Sequence, residues 1–222
     1  MNRFFLIAVA PLMLSFSAFA SSTTCPQPNA PYSGYLGGFT CVSGNLMFSD
    51  FQYSASAGSP SAAAVQVTPI TTTGNEGFLF QSNWAGNMDS LLTFTVTAVS
   101  GAITDMHLAF NGVAQGPGSS ASVAETVCLD GEIATCGAPI GISAQLAVPN
   151  KNSAFTDAIF FAPVHSIQVS KDISVFAGEG GLAVISLVDN TFSQSAVPEP
   201  LSLALFGSGL VALGLMRKRA KK

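Results

Sequence analysis

Through the middle of the chain, apolar and polar side chains alternate one for one. From Leu91 to Ser100, Leu92, Phe94, Val96 and Ala98 fall on one side, and Thr93, Thr95 and Thr97 on the other. A period of two is that of a β-strand with one buried face. The pattern repeats from Thr104 to Phe110, where Met106, Leu108 and Phe110 oppose Asp105 and His107. Ser100-Gly101-Ala102 between these runs reads as a hairpin turn. Further strands are predicted at Leu46–Tyr53, Ala64–Ile70, Gly77–Ser82, Ser122–Leu129, Ile142–Val148, Ala158–Phe161, Val164–Val175 and Leu182–Val188. Short helices or turns are expected at Asn87–Leu91 and Ser153–Thr156, and small-residue loops at Ser54–Ala64 and Gln115–Ala121. Clusters of Gly, Pro, Asn and Ser punctuate the strands, and no helical period is evident in the body. The expected fold is all-β, an antiparallel two-sheet β-sandwich of jelly-roll-like type.

Both ends break the pattern. Asn2 and Arg3 precede the apolar run Phe4–Leu14, and Ala18-Phe19-Ala20 supplies the small residues that signal peptidase reads, with cleavage before Ser21. Residues 1–20 are therefore expected to be a signal peptide, entered as a helix too short for a stable membrane anchor. The body follows at 21–189, then a polar linker at 190–196, then a sorting segment at 197–222. That segment opens with Val197-Pro198-Glu199-Pro200, continues as an apolar stretch over 201–216, and closes with Arg217, Lys218, Arg219, Lys221 and Lys222.

Pro198 and Pro200 forbid helix through the motif and present Glu199 on a stiff extended segment. The apolar stretch, as a transmembrane helix, reaches about 24 Å against a hydrocarbon core of about 30 Å. Local bilayer thinning and snorkelling of the basic flank would let it span. Lys and Arg beside a span resist translocation, so the tail stays cytoplasmic and the body faces outward. This tripartite tail resembles the PEP-CTERM sorting signal of bacteria that make exosortase. The resemblance implies transit anchoring in the inner membrane, then cleavage near the motif by exosortase. Release or transfer to the outer envelope would follow, in association with exopolysaccharide or biofilm. It covers about the last 26 residues and identifies no family for the body.

Charge sharpens the picture. With both signals set aside, the body keeps Lys151 and Lys171 against eleven acidic residues, a net charge of -9. A body so poor in cations cannot neutralise a phosphate backbone, which excludes nucleic acid as a partner.

Export makes disulfides permissible for Cys25, Cys41, Cys128 and Cys136. Of the three pairings, Cys25–Cys41 and Cys128–Cys136 are favoured, the second pinching the acidic loop at Asp130 and Glu132. The spacings do not suit structural zinc, whose ligands come in tighter pairs. No metal or other cofactor is expected. Calcium is conceivable for an extracellular sandwich, but no Asp-x-Asp-x-Asp-Gly loop supports it.

Catalytic groups are sparse. His107 shares a polar strand face with Asp105, and His165 follows Pro163 with no neighbour to orient it. No Gly-x-Ser-x-Gly elbow is present, and Gly178-Glu179-Gly180-Gly181 reads as a turn, since no helix follows it. A glycosidase would need two carboxylates, from Glu125, Asp130 and Glu132, but Glu125 shares a strand face with Val123 and Val127. Trp84, the sole tryptophan, is a candidate ligand contact if it faces solvent and a cap on the core if it does not. The expectation is a non-enzymatic surface or matrix protein, with a carbohydrate-binding module as the alternative and a secreted hydrolase behind both.

Overall fold

The computed structural model describes residues 23–129, 142–149 and 153–195. The strands are β1 (Ala30–Pro31), β2 (Cys41–Ser43), β3 (Leu46–Ala55), β4 (Gln66–Thr72), β5 (Asn75–Ala85) and β6 (Asn87–Ala98). They continue as β7 (Ala102–Gln115), β8 (Ser120–Leu129), β9 (Ile142–Pro149), β10 (Ser153–Val164), β11 (Ser166–Phe176) and β12 (Leu182–Ser195). Two six-stranded antiparallel sheets result, one in the order β1-β4-β5-β12-β7-β10, the other β2-β3-β6-β11-β8-β9. Among the described residues the one helix is a 3-10 turn at Tyr32–Tyr35, and none is long and apolar enough to cross a membrane. The expected signal helix and transmembrane helix lie outside the described residues.

The alternation that defines the strands also builds the core. Leu92, Phe94, Val96 and Ala98 are buried on β6, and Met106, Leu108 and Phe110 on β7. Phenylalanines from both sheets meet between the layers. Phe48 lies 4.4 Å centroid to centroid from Phe78, and Phe94 packs edge-on to Phe78 and Phe192. Full burial of one such ring is worth about 1.5–3 kcal/mol.

Several expectations shift. The hairpin read at Ser100-Gly101-Ala102 is a crossover, because β6 and β7 belong to different sheets. Alternation dictates which side of a strand is buried and says nothing about which strand lies next to it. Asn87–Leu91 and Ser153–Thr156 are strand, held by ladders to β11 and β7 that outweigh their local turn character.

The supposed linker from Asn190 is the last part of β12 as far as Ser195, paired with β7 throughout. A bulge between Ile185 and Leu187 causes that difference. Before it Ala183 and Ile185 face inward; after it Val188, Asn190 and Phe192 do. The extra residue flips the parity of the strand, so a polar residue enters the core where simple alternation ends.

Near the N-terminus, the Cys25–Cys41 disulfide ties the first described residues to β2. Tyr32 lies fully buried beside it, its hydroxyl donating to the carbonyls of Gln52 and Thr93, both at 3.1 Å. Burial holds the Tyr32 phenol far above its usual range and pushes Tyr35 up to about 12. A phenol whose folded pKa exceeds its unfolded 10.0 stabilises the fold at neutral pH and loses that contribution as pH rises. Stability should therefore fall by about 1.4 kcal/mol per pH unit for each tyrosine as pH climbs from 10 towards 12. Urea midpoints across that range, followed with tyrosinate absorbance, check this; a flat midpoint contradicts it.

Candidate functional site

Along β11 the inward positions are Ile167, Val169, Lys171, Ile173 and Val175, so a lysine occupies a core place. Its register partner on β8 is Glu125, flanked by buried Val123 and Val127. Both charged side chains are 0% exposed, with Lys171 Nζ 2.9 Å from Glu125 Oε1. Beyond that contact Nζ and Oε1 have no hydrogen-bond partner.

The opposite sheet completes the centre. Asn190 on β12 donates Nδ2 to Glu125 Oε2 and to the His107 carbonyl, each at 3.2 Å, while its Oδ1 finds no partner. The Phe80 ring centroid lies 5.9 Å from Nζ. Gly77 admits this approach: a Cβ there would overlap the Asn190 carbonyl oxygen.

Desolvation dominates the electrostatics. Burial pushes Glu125 up and Lys171 down, each opposed by the partner's charge, with Asp189 adding a further pull upward on Lys171. Both shifts favour the neutral acid and the free amine. A site with no solvent access cannot receive an external substrate, so its chemistry is confined to its own members.

Outside, a different place is open. On the outer face formed by β7, β12 and β10, a cleft of about 100 Å³ has His107, Thr156, Asp157, Asp189 and Thr191 as its polar lining. Asp105 holds His107 at 3.2 Å, and the Phe160 ring meets the imidazole edge-on at 6.1 Å. Phe160, on an edge strand, is 73% exposed. Burial holds the Asp189 carboxyl above the usual range, against the pull of Lys171.

A second cleft, of about 210 Å³, sits where β12 ends and is lined by Asn45, Glu76, Ser100 and Gln194. Those groups already bond one another: Gln194 donates to Glu76, and Asn45 to Gln194 and the Ser100 carbonyl. On the other sheet, Asp172 is held up by burial and by the neighbouring Asp89 charge. Among the described residues no group of three or more His, Cys, Asp or Glu side chains could hold a metal ion.

The residues singled out in the sequence scatter. Trp84 is fully buried and donates Nε1 to Ser90 Oγ at 3.1 Å, so neither ring face can stack on a sugar; it caps the core. Glu125 is sealed in the core, while Asp130 and Glu132 lie outside the described residues, so of these three carboxylates only Glu125 is placed, away from solvent. His165 is exposed in the turn before β11. Cys25 and Cys41 are bonded as expected, Cys128 is in a disulfide, and Cys136 lies outside the described residues. So do Ala18, Ala20, Ser21, Val197, Pro198, Glu199, Pro200 and the basic cluster from Arg217 to Lys222. Sequence reasoning missed Lys171, Asn190 and Phe160. The signal for Lys171 was visible, a lysine in phase with Ile167, Val169, Ile173 and Val175.

A PEP-CTERM protein-sorting motif matches residues 196–219. No curated protein sequence matches the chain. Among solved structures, TmCBM61 in complex with beta-1,4-galactotriose is 14% identical, covering 65% of this chain and 88% of that one, with a TM-score of 0.38. The carbohydrate binding module of Cellvibrio mixtus lichenase 5A in complex with cellotriose is 13% identical, covering 60% and 88%, at 0.28. The enzymatically active domain of Bacteriophage CBA120 tailspike protein 4 is 16% identical, covering 65% and 19%, at 0.29. Superpositions this loose carry neither ligand nor activity across.

Removing one member of the sealed centre strands the other. Glu125→Ala should lower unfolding stability by about 3–5 kcal/mol, because Lys171 is left in the core without its partner. Urea denaturation measures it, and a loss below about 1 kcal/mol would mean that Lys171 reaches water.

Proposed function

From the premise of a C-terminal PEP-CTERM sorting motif, which marks an exported protein processed by exosortase, we propose a non-catalytic surface protein that binds matrix polysaccharide through its β-sandwich. The stretch 201–216 parks in the inner membrane during transit, with the basic tail inside and the sandwich outside. Signal peptidase removes residues 1–20, and exosortase processing then delivers the body to the outer envelope or the extracellular matrix.

The observation that carries the carbohydrate reading is Phe160, a large ring left 73% exposed and packed edge-on against His107 of the cleft. The apolar face of a pyranose can cover such a ring, while Asp157, Asp189, Thr156 and Thr191 offer acceptors and hydroxyls to its OH groups. Charge narrows the ligand. Lys171, the one Lys or Arg among the described residues, is buried, so their exterior carries none. That surface repels polyanions and suits neutral glycans. In support of a non-catalytic role, Glu125, the one candidate carboxylate whose place is described, is withdrawn from solvent.

Retention on purified neutral exopolysaccharide tests the reading. Phe160→Ala should weaken binding about two- to tenfold, the worth of one aromatic contact. Absence of any retention by the wild-type protein would remove the carbohydrate role. Unchanged processing and location in cells lacking exosortase would remove the sorting assignment.

A further inference from the structure

The sealed centre brings together an amine, a primary amide and a carboxyl group. We infer that Lys171 and Asn190 become joined by an isopeptide bond, formed inside the folded sandwich with Glu125 carrying the proton. The inference is independent of any ligand on the outer face.

Placement comes first. Glu125 bridges the two reactants with its two oxygens: Oε1 lies 2.9 Å from Lys171 Nζ, and Oε2 lies 3.2 Å from Asn190 Nδ2. The His107 carbonyl takes a second hydrogen bond from Nδ2 and so fixes which end of the amide faces the carboxylate. All three side chains are fully buried, on strands β8, β11 and β12 drawn from both sheets. Reactants held this way face an effectively unimolecular step, and water cannot compete for the amide.

Energetics come second. A buried ion pair is often no more stabilising than apolar residues of equal volume, and each unsatisfied buried polar atom adds to the cost. Here Lys171 Nζ and Glu125 Oε1 have no hydrogen-bond partner beyond each other, and Asn190 Oδ1 has none. As a resting arrangement that is expensive. Bond formation removes the amine altogether and leaves one secondary amide, whose N–H faces Glu125.

The protonation states suit the step. Desolvation disfavours both charges and so pulls the pair towards amine and carboxylic acid, against the attraction between the two charges. The Nζ lone pair attacks Asn190 Cγ, forming the Nζ–Cγ bond and pushing the carbonyl π pair onto Oδ1. Glu125 gives its proton from Oε2 to Nδ2 and accepts one from Nζ at Oε1. The pair on Oδ1 re-forms the carbonyl, the Cγ–Nδ2 bond breaks, and ammonia leaves. One amine and one primary amide become one secondary amide and ammonia. Glu125 ends as it began, and no oxidant, metal or cofactor enters.

The product would tie one sheet to the other through the middle of the core. For a protein displayed outside the cell, such a tie resists unfolding and proteolysis without relying on charged surface pairs.

The full chain, exported and processed in a host with its own sorting machinery, is unfolded, digested and analysed by peptide mass spectrometry. The expected result is a branched peptide joining the Lys171 and Asn190 segments, lighter than their sum by one ammonia. Recovery of the two segments unlinked at their unmodified masses would overturn the inference. Glu125→Gln keeps the shape of the side chain and should abolish the link, whereas a linked Glu125→Gln protein would overturn the role given to Glu125. Should that variant fail to fold, Asn190→Asp serves instead: it should yield the identical branched peptide by loss of water, and an unlinked, folded Asn190→Asp protein would count against the mechanism.

Discussion

Desolvation of one lysine organises this molecule. A protein with almost no cations in its body spends one of them in the centre of an apolar sandwich, where Lys171 is surrounded by valines, isoleucines and Phe80. An ammonium there is tolerable only if a carboxylate reaches it, and Glu125 does so because β8 and β11 pair in register at those two positions. Slip one of these strands by one residue and its charge would turn to the outer face, stranding the other in the core. Asn190 then has to come from the other sheet, which requires the bulge in β12 and the bare backbone of Gly77. Two sheets, three strands and one glycine are thus committed to a single polar centre.

With its cation inside, the body presents a different exterior from that of an ordinary soluble domain. The charge on the described surface is carboxylate, with no Lys or Arg on it. Such a surface gains nothing from phosphate-rich partners and loses little to salt, which suits exposure outside the cell. The edge strand β10 is blunted as well: Pro163 removes a donor and the register breaks between Phe160 and Val164. Phe160 is the exception on this guarded edge, and its exposure beside His107 is why ligand binding is proposed there.

Much of the architecture was legible from alternation. The two-residue period of Leu92, Phe94, Val96 and Ala98 gave both the strand and its buried side, and several such runs gave an all-β fold. What alternation cannot carry is anything that changes phase or partner. The bulge at Ile185 and Leu187 reverses the inward parity, so Asn190 looked like the start of a linker. The turn at Gly101 looked like a hairpin because local residues do not record which sheet the next strand joins. Trp84 looked available because burial depends on what the rest of the chain places over it. Lys171 was readable, since a charged residue in phase with four aliphatic ones is either misplaced or functional, and its partner Glu125 stood in the same kind of pattern.

Amine-reactive labelling of the mature protein, first folded and then in denaturant, addresses the sealed centre most directly. The account predicts that Lys171 stays unlabelled in both states, shielded by packing in the first and consumed as an amide in the second. Labelling of Lys171 in either state would contradict it: in the folded protein the amine would not be buried, and in denaturant it would not be bonded.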